Sequence, residues 1–171
     1  MAEVHVRLVK ARAVTGGKSM PASTIKLHVS HTYRVPPAVV YDAWLNPEIA
    51  RRFLFATDDG HVIRADIDPH VGGRFFIVDR RPTGDAFHQG VFLELKRPQR
   101  MVFSFSVEDH DHNCDRVEID IEPLGGGSRL TLTHEMCAEW AEHEEKTRRG
   151  WAHVVEGLGK ELEQQQMKAT G

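Results

Sequence analysis

The last third of the chain constrains the fold most, because two periodicities follow one another there without a break. Val117, Ile119 and Ile121 alternate with Glu118 and Asp120, and Leu130, Leu132, His134 and Met136 alternate with Thr131, Thr133 and Glu135. A period of two marks strands with one buried face. Between them Pro123-Leu124-Gly125-Gly126-Gly127-Ser128 has the chemistry of a hairpin turn. Folding the chain about Gly125 and Gly126 pairs Ile121 with Leu130, Ile119 with Leu132 and Val117 with His134, so both apolar sets share one face. From Trp140 to about Met167 the period lengthens to that of a helix. Trp140, Thr147, Trp151, Val154, Val155, Leu158 and Leu162 then fall on one side, with Glu145, Arg149, His153, Glu156, Lys160 and Glu163 largely elsewhere. Such a helix is a rod on the order of 40 Å, long enough to cross a whole sheet. Gly150, Gly157 and Gly159 within it permit close backbone approach or leave room for a ligand.

Upstream, Ile25, Leu27 and Val29 alternate with Lys26, His28 and Ser30, which predicts a first strand. Pro36-Pro37 ends it and opens a helix carrying Val39, Val40, Ala43 and Trp44. Asn46 caps a second short helix that starts at Pro47, with Ile49, Phe53 and Leu54 on one side. Strands follow over His61–Ile67, Gly73–Asp79, Phe87–Leu95, Arg100–Val107, Asp115–Ile121 and Arg129–Met136, seven with the first. Hairpin-linked strands with helices at two places predict an α+β fold on an antiparallel sheet.

One domain, residues 24–167, accounts for most of the 171 residues. Residues 1–23 read as a separate extension: a flexible arm, an edge strand over Val4–Val9, or, with Met20 as the natural start, residues added by a misplaced gene boundary. A net charge of −3 removes the electrostatic case for nucleic acid. No apolar run approaches the roughly 18 residues of a membrane span, and the basic N-terminus lacks the apolar stretch of a secretory signal. Two cysteines are too few for a disulfide scaffold, so a cytoplasmic address is expected. The hairpin register sets Cys114 opposite Cys137. Two reduced thiols are the expectation, with a cross-strand disulfide as the alternative.

Strand, two short helices, six strands and a long closing helix is the element order of the START-like (SRPBCC, birch-allergen-type helix-grip) superfamily. Within it the sequence resembles the branch of activator of heat-shock-protein-90 ATPase homologues. The resemblance rests on Trp44-Leu45-Asn46-Pro47, Val71-Gly72-Gly73-Arg74-Phe75, Gly90 to Leu95 and Pro98 to Phe103. It continues through Gly125 to His134 and Gly150-Trp151, and together these span residues 24 to about 165. Phe103-Ser104-Phe105 departs from the Thr-Trp pair common at that place. The resemblance implies a helix-grip fold, a curved sheet wrapped around the C-terminal helix, and a hydrophobic or aromatic small molecule bound between them. It also brings a stress-related name and a bacterial setting.

His110, His112 and Cys114 alternate, which suits a metal, but they sit in Glu108–Cys114 between two strands, where a polar loop is expected and no metal. Gly72-Gly73 and Gly125-Gly126-Gly127 precede no helix and read as turns, not phosphate cradles. His134 falls on the apolar inner face. It is either a satisfied core histidine, a polar anchor for a ligand, or an acid or base that needs a carboxylate partner the sequence does not point to. Trp44, Phe75, Ile77, Phe92, Phe103, Phe105, His134, Trp151, Val155 and Leu158 are the expected lining of a ligand cavity. Arg74 and Arg116 read as solvated, with a place at a pocket mouth as the alternative. No catalytic residue, metal or cofactor is assigned. Three functions are expected in descending order: a binder of an apolar small molecule, a cyclase or aromatase using His134, and a co-chaperone-like interaction protein. A monomer or homodimer is expected.

Overall fold

The computed structural model describes residues 23–107 and 115–170. Strand β1 (Thr24–Tyr33) leads into α1 (Pro37–Leu45) and α2 (Pro47–Phe53). Strands β2 (His61–Ile67), β3 (Arg74–Arg81), β4 (Gly84–Lys96), β5 (Arg100–Ser104), β6 (Ser106–Val107), β7 (Arg116–Leu124) and β8 (Gly127–Cys137) follow. A 3-10 segment, Ala138–His143, joins β8 to the closing helix α3 (Glu144–Ala169). The expected opening of that helix near Trp140 is therefore corrected to Glu144, because the first turn winds tighter, as helix entries often do. The sheet runs β1-β8-β7-β5-β4-β3-β2, every neighbour antiparallel.

The final hairpin adopts the register set by its pattern: Ile121 opposes Leu130, Ile119 opposes Leu132 and Val117 opposes His134. Gly125, at φ 59°, takes the left-handed turn position that a residue with a Cβ occupies at a cost. Asn46 caps α2 as expected, its side-chain oxygen accepting from the Glu48 N–H at 3.0 Å. Glu118 and Asp120 face outward, where both meet Arg100.

The predicted strand Arg100–Val107 is two strands, and its break makes the curvature. A Cβ at Gly90 would collide with the Ser104 carbonyl and lie 2.6 Å from the Phe75 ring. Only glycine lets β4 bend that tightly. One half of β4 pairs with β5 (Phe92 with Phe103) and the other with β6 (His88 with Val107), while Phe105 between them is buried. A register shift between Phe92 and Glu94 then leaves Phe92 inside and Leu93 outside. The sheet closes over α3, whose Trp151, Val154, Val155, Leu158 and Leu162 are buried against it. The Tyr33 hydroxyl fixes β1 to the helix by donating to the Val155 carbonyl at 2.8 Å. Gly157 brings α3 against α2, where a Cβ would sit 3.5 Å from the Phe53 Cβ.

Residues 1–22 and 108–114 lie outside the described residues, and with them the extension, His110, His112 and Cys114. Cys137 is disulfide-bonded rather than a reduced thiol. No helix among the described residues is long and apolar enough to cross a membrane. None of their His, Cys, Asp and Glu side chains group into a metal-holding cluster.

Candidate functional site

Alternation along β3, β4, β5 and β8 turns one residue in two toward α3, and that selection builds the interior. Trp44, Phe75, Ile77, Phe92, Phe103, Phe105, His134, Trp151, Val155 and Leu158 are all buried. They do not share one cavity. One interior space, of about 10 Å³, is bounded by Trp44, Leu54, Phe55, Ile67, Phe75, Phe92, Met101 and Phe103, none of them on α3. That is room for one water at most. Trp44, Phe75, Phe92 and Phe103 border it, whereas Ile77, Phe105, His134, Trp151, Val155 and Leu158 pack elsewhere in the core. Trp44 contributes a buried Nε1–H that meets no acceptor.

Beside that space lies an aromatic box, most of which the sequence patterns do not reveal. Phe55, in the loop after α2, stacks on His88 of β4 with ring centroids 4.1 Å apart and planes 2° from parallel. Its ring also lies 5.4 Å from those of Phe105 and Trp151, and Phe105 lies 5.3 Å from Trp151. These rings occupy the region beneath Trp151 where open space is expected from sequence.

A histidine stands at each side of the box. Burial and the Arg81 charge push the His88 pKa down to about 4, against the opposing pull of the Ile77 carbonyl and Asp79. His88 is therefore neutral near pH 7, and its Nδ1 has no hydrogen-bond partner. Asp79, fully buried, accepts from Thr57 Oγ1 and Arg81 Nε, each at 2.8 Å, which ties the loop after α2 to β3. On the far side Trp151 Nε1–H donates to His134 Nδ1 at 3.0 Å. With Nδ1 accepting, the ring N–H sits on Nε2, which faces the Asp115 carboxylate at 3.7 Å without hydrogen bonding to it. The carboxylate that His134 lacks in the sequence pattern thus comes from the residue just before β7. Its position next to a polar loop hides it from alternation.

Outside the loop lies a groove of about 240 Å³ between α2 and α3, lined by Arg52, Ala56, Thr57, Asp58, His153 and Lys160 among others. Glu161, buried at its base, holds Arg52 at 2.9 Å. Phe55 thus borders the interior while its successors Ala56, Thr57 and Asp58 border the exterior. Arg74 is exposed, and Arg116 pairs with Glu118 at 3.1 Å, so both are surface residues.

A protein from Nitrosomonas europaea shares this architecture with a TM-score of 0.72 and 22% identity, over 84% of this chain and 97% of its own. A Staphylococcus aureus protein of unknown function has a TM-score of 0.73 and 13% identity, over 85% of this chain and 98% of its own. The solution structure of the AHSA1-like protein from Aeromonas hydrophila has a TM-score of 0.70 and 22% identity, over 81% and 92%. At such identities the likeness speaks for the fold alone. No curated protein matches the sequence. The sequence model described as activator of Hsp90 ATPase homolog 1-like protein matches residues 34–163, most of the chain. The chain belongs to that family, a START-like branch with the helix-grip fold.

Proposed function

We propose that this protein binds a hydrophobic or aromatic small molecule between the curved sheet and α3. The observation that carries the reading is the box of half-buried Phe55 and buried Phe105 and Trp151, flanked by His88 and His134. Each histidine keeps one ring nitrogen without a hydrogen bond. A packed core normally satisfies its polar atoms, since each orphan costs about 1–3 kcal/mol. Sparse, unsatisfied polar groups in an apolar interior are the composition of a ligand pocket. With about 10 Å³ free, the interior has to open for a ligand to enter.

The test is thermal unfolding with and without decanoic acid and naphthalene. Binding at a hundredfold excess over Kd stabilises by about 2.7 kcal/mol, an upward Tm shift of roughly 5 °C or more for a chain of this size. No shift with either compound, nor with longer homologues of each, rejects the reading. A cyclase or aromatase acting through His134 gains the Asp115 carboxylate as a partner. It gains no open space, because His134 is 2% exposed and does not border the cavity. The binder reading is therefore preferred.

A further inference from the structure

Phe55 is the one non-glycine residue with a positive φ among the described residues, at 61°. A bulky side chain seldom adopts that conformation, and where it does the surroundings impose it. Here the backbone turns the ring inward onto His88 and against Phe105 and Trp151. The result is a flat slot with three aromatic walls, filled by a side chain that comes from a loop rather than from a strand or helix. The residues that follow Phe55 line the exterior groove, so the loop carries a residue of the slot and residues of the groove side by side. His88 Nδ1 has no hydrogen-bond partner, and His134 Nε2 makes no hydrogen bond to the Asp115 carboxylate 3.7 Å away. A phenolic hydroxyl is both donor and acceptor and satisfies either atom.

We propose that the Phe55 slot is a ring-binding subsite: a planar hydroxylated aromatic molecule enters from the groove and takes the place of the Phe55 ring between His88, Phe105 and Trp151. The inference rests on the binder reading above and adds where the ring goes, which residue it displaces and which polar group selects it. Departure of Phe55 releases its left-handed backbone, so displacement relieves a conformation that the empty protein has to hold. Thr57 and Asp79, bonded at 2.8 Å, keep the loop anchored to β3 while Phe55 swings.

The experiment is equilibrium dialysis of the intact chain with 2-naphthol and, separately, naphthalene. Phe55→Gly suits the positive φ and empties the slot, Leu130→Ala opens the core at a buried residue that borders neither the slot nor the space beside it, and His88→Phe removes the unpartnered ring nitrogen. Wild type is expected to bind one 2-naphthol per chain. Phe55→Gly is expected to bind it at least tenfold tighter, and Leu130→Ala no tighter. Both wild type and Phe55→Gly should prefer 2-naphthol to naphthalene by about tenfold, a preference that shrinks in His88→Phe. Equal affinity of folded Phe55→Gly and wild type overturns the subsite, and so does equal affinity of Phe55→Gly for the two compounds, the behaviour of a bare cavity. If Phe55→Gly does not fold, hydrogen exchange on wild type decides. Faster exchange at residues 55–59 with 2-naphthol bound supports displacement, and unchanged or slower exchange overturns it. A Tm shift with decanoic acid alongside any of these failures removes the subsite and leaves the binder reading standing. No binding of any compound removes both.

Discussion

The His88 imidazole has lost its water without gaining a full set of partners, and its protonation equilibrium records the loss. Its pKa falls from 6.5 to about 4 in the folded chain because burial and Arg81 disfavour the cation. The unfolded chain therefore takes up a proton between pH 6.5 and 4 that the folded chain refuses, so stability is full above that window and is lost as pH falls through it. The shift corresponds to about 3 kcal/mol. Urea unfolding at pH 7 and pH 4 should show a loss of that order from this group. His88→Phe, which keeps a flat ring beneath Phe55, should remove about one proton from the pH dependence. Trp151 and His134 make a second test on this scale. Trp151→Phe deletes the N–H that reaches His134 Nδ1 and leaves both histidine nitrogens unpartnered. It should cost about 1–3 kcal/mol. A double-mutant cycle with His134→Phe should return a coupling of about 1 kcal/mol, read from denaturant midpoints.

Elements in this chain were legible wherever one face alone was apolar. The β7–β8 hairpin followed its alternation residue for residue, and α2 started at the cap that Asn46 and Pro47 announced. On β4 the pattern failed, because Phe87, Val91 and Leu93 put apolar side chains on the outer face while His88 and Phe92 went inward. With both faces apolar, period two has no phase, and nothing in the pattern singled out His88. Phe55 was invisible for another reason. It follows α2 in a loop with no period, and its backbone takes a conformation usually signalled by glycine or asparagine. The strand break at Phe105 was also unreadable, since it arises from Gly90 on a neighbouring strand rather than from local sequence. That makes Gly90→Ala the sharpest test at this scale. The new methyl would meet the Ser104 carbonyl and the Phe75 ring, and the variant should lose about 2–3 kcal/mol, measured by urea unfolding.

At the scale of the whole molecule the sheet and α3 act as one clamp. Leu158 is fully buried at its centre, and Leu158→Ala should cost about 2–5 kcal/mol in unfolding free energy. The ion pair between Arg52 and Glu161 is an additional tie between α2 and the helix. The loop between α2 and β2 is open to solvent at its tip, where the Asp58 side chain is 96% exposed. Motions that open an interior without unfolding it draw on such segments.

The small size of the interior space beside Trp44 and Phe55, about 10 Å³, has a consequence for time as well as for affinity. A guest cannot enter a filled interior by colliding with it more often. Mixed rapidly with rising concentrations of an apolar guest, the protein should show an observed association rate that first climbs and then levels off. The plateau is the frequency at which the chain opens by itself, a property of the empty protein and the same for every guest. A plateau that differs from guest to guest would mean that the guest first lands on the outer groove and the opening comes afterwards, and a rate that climbs without limit would mean that no opening step limits entry.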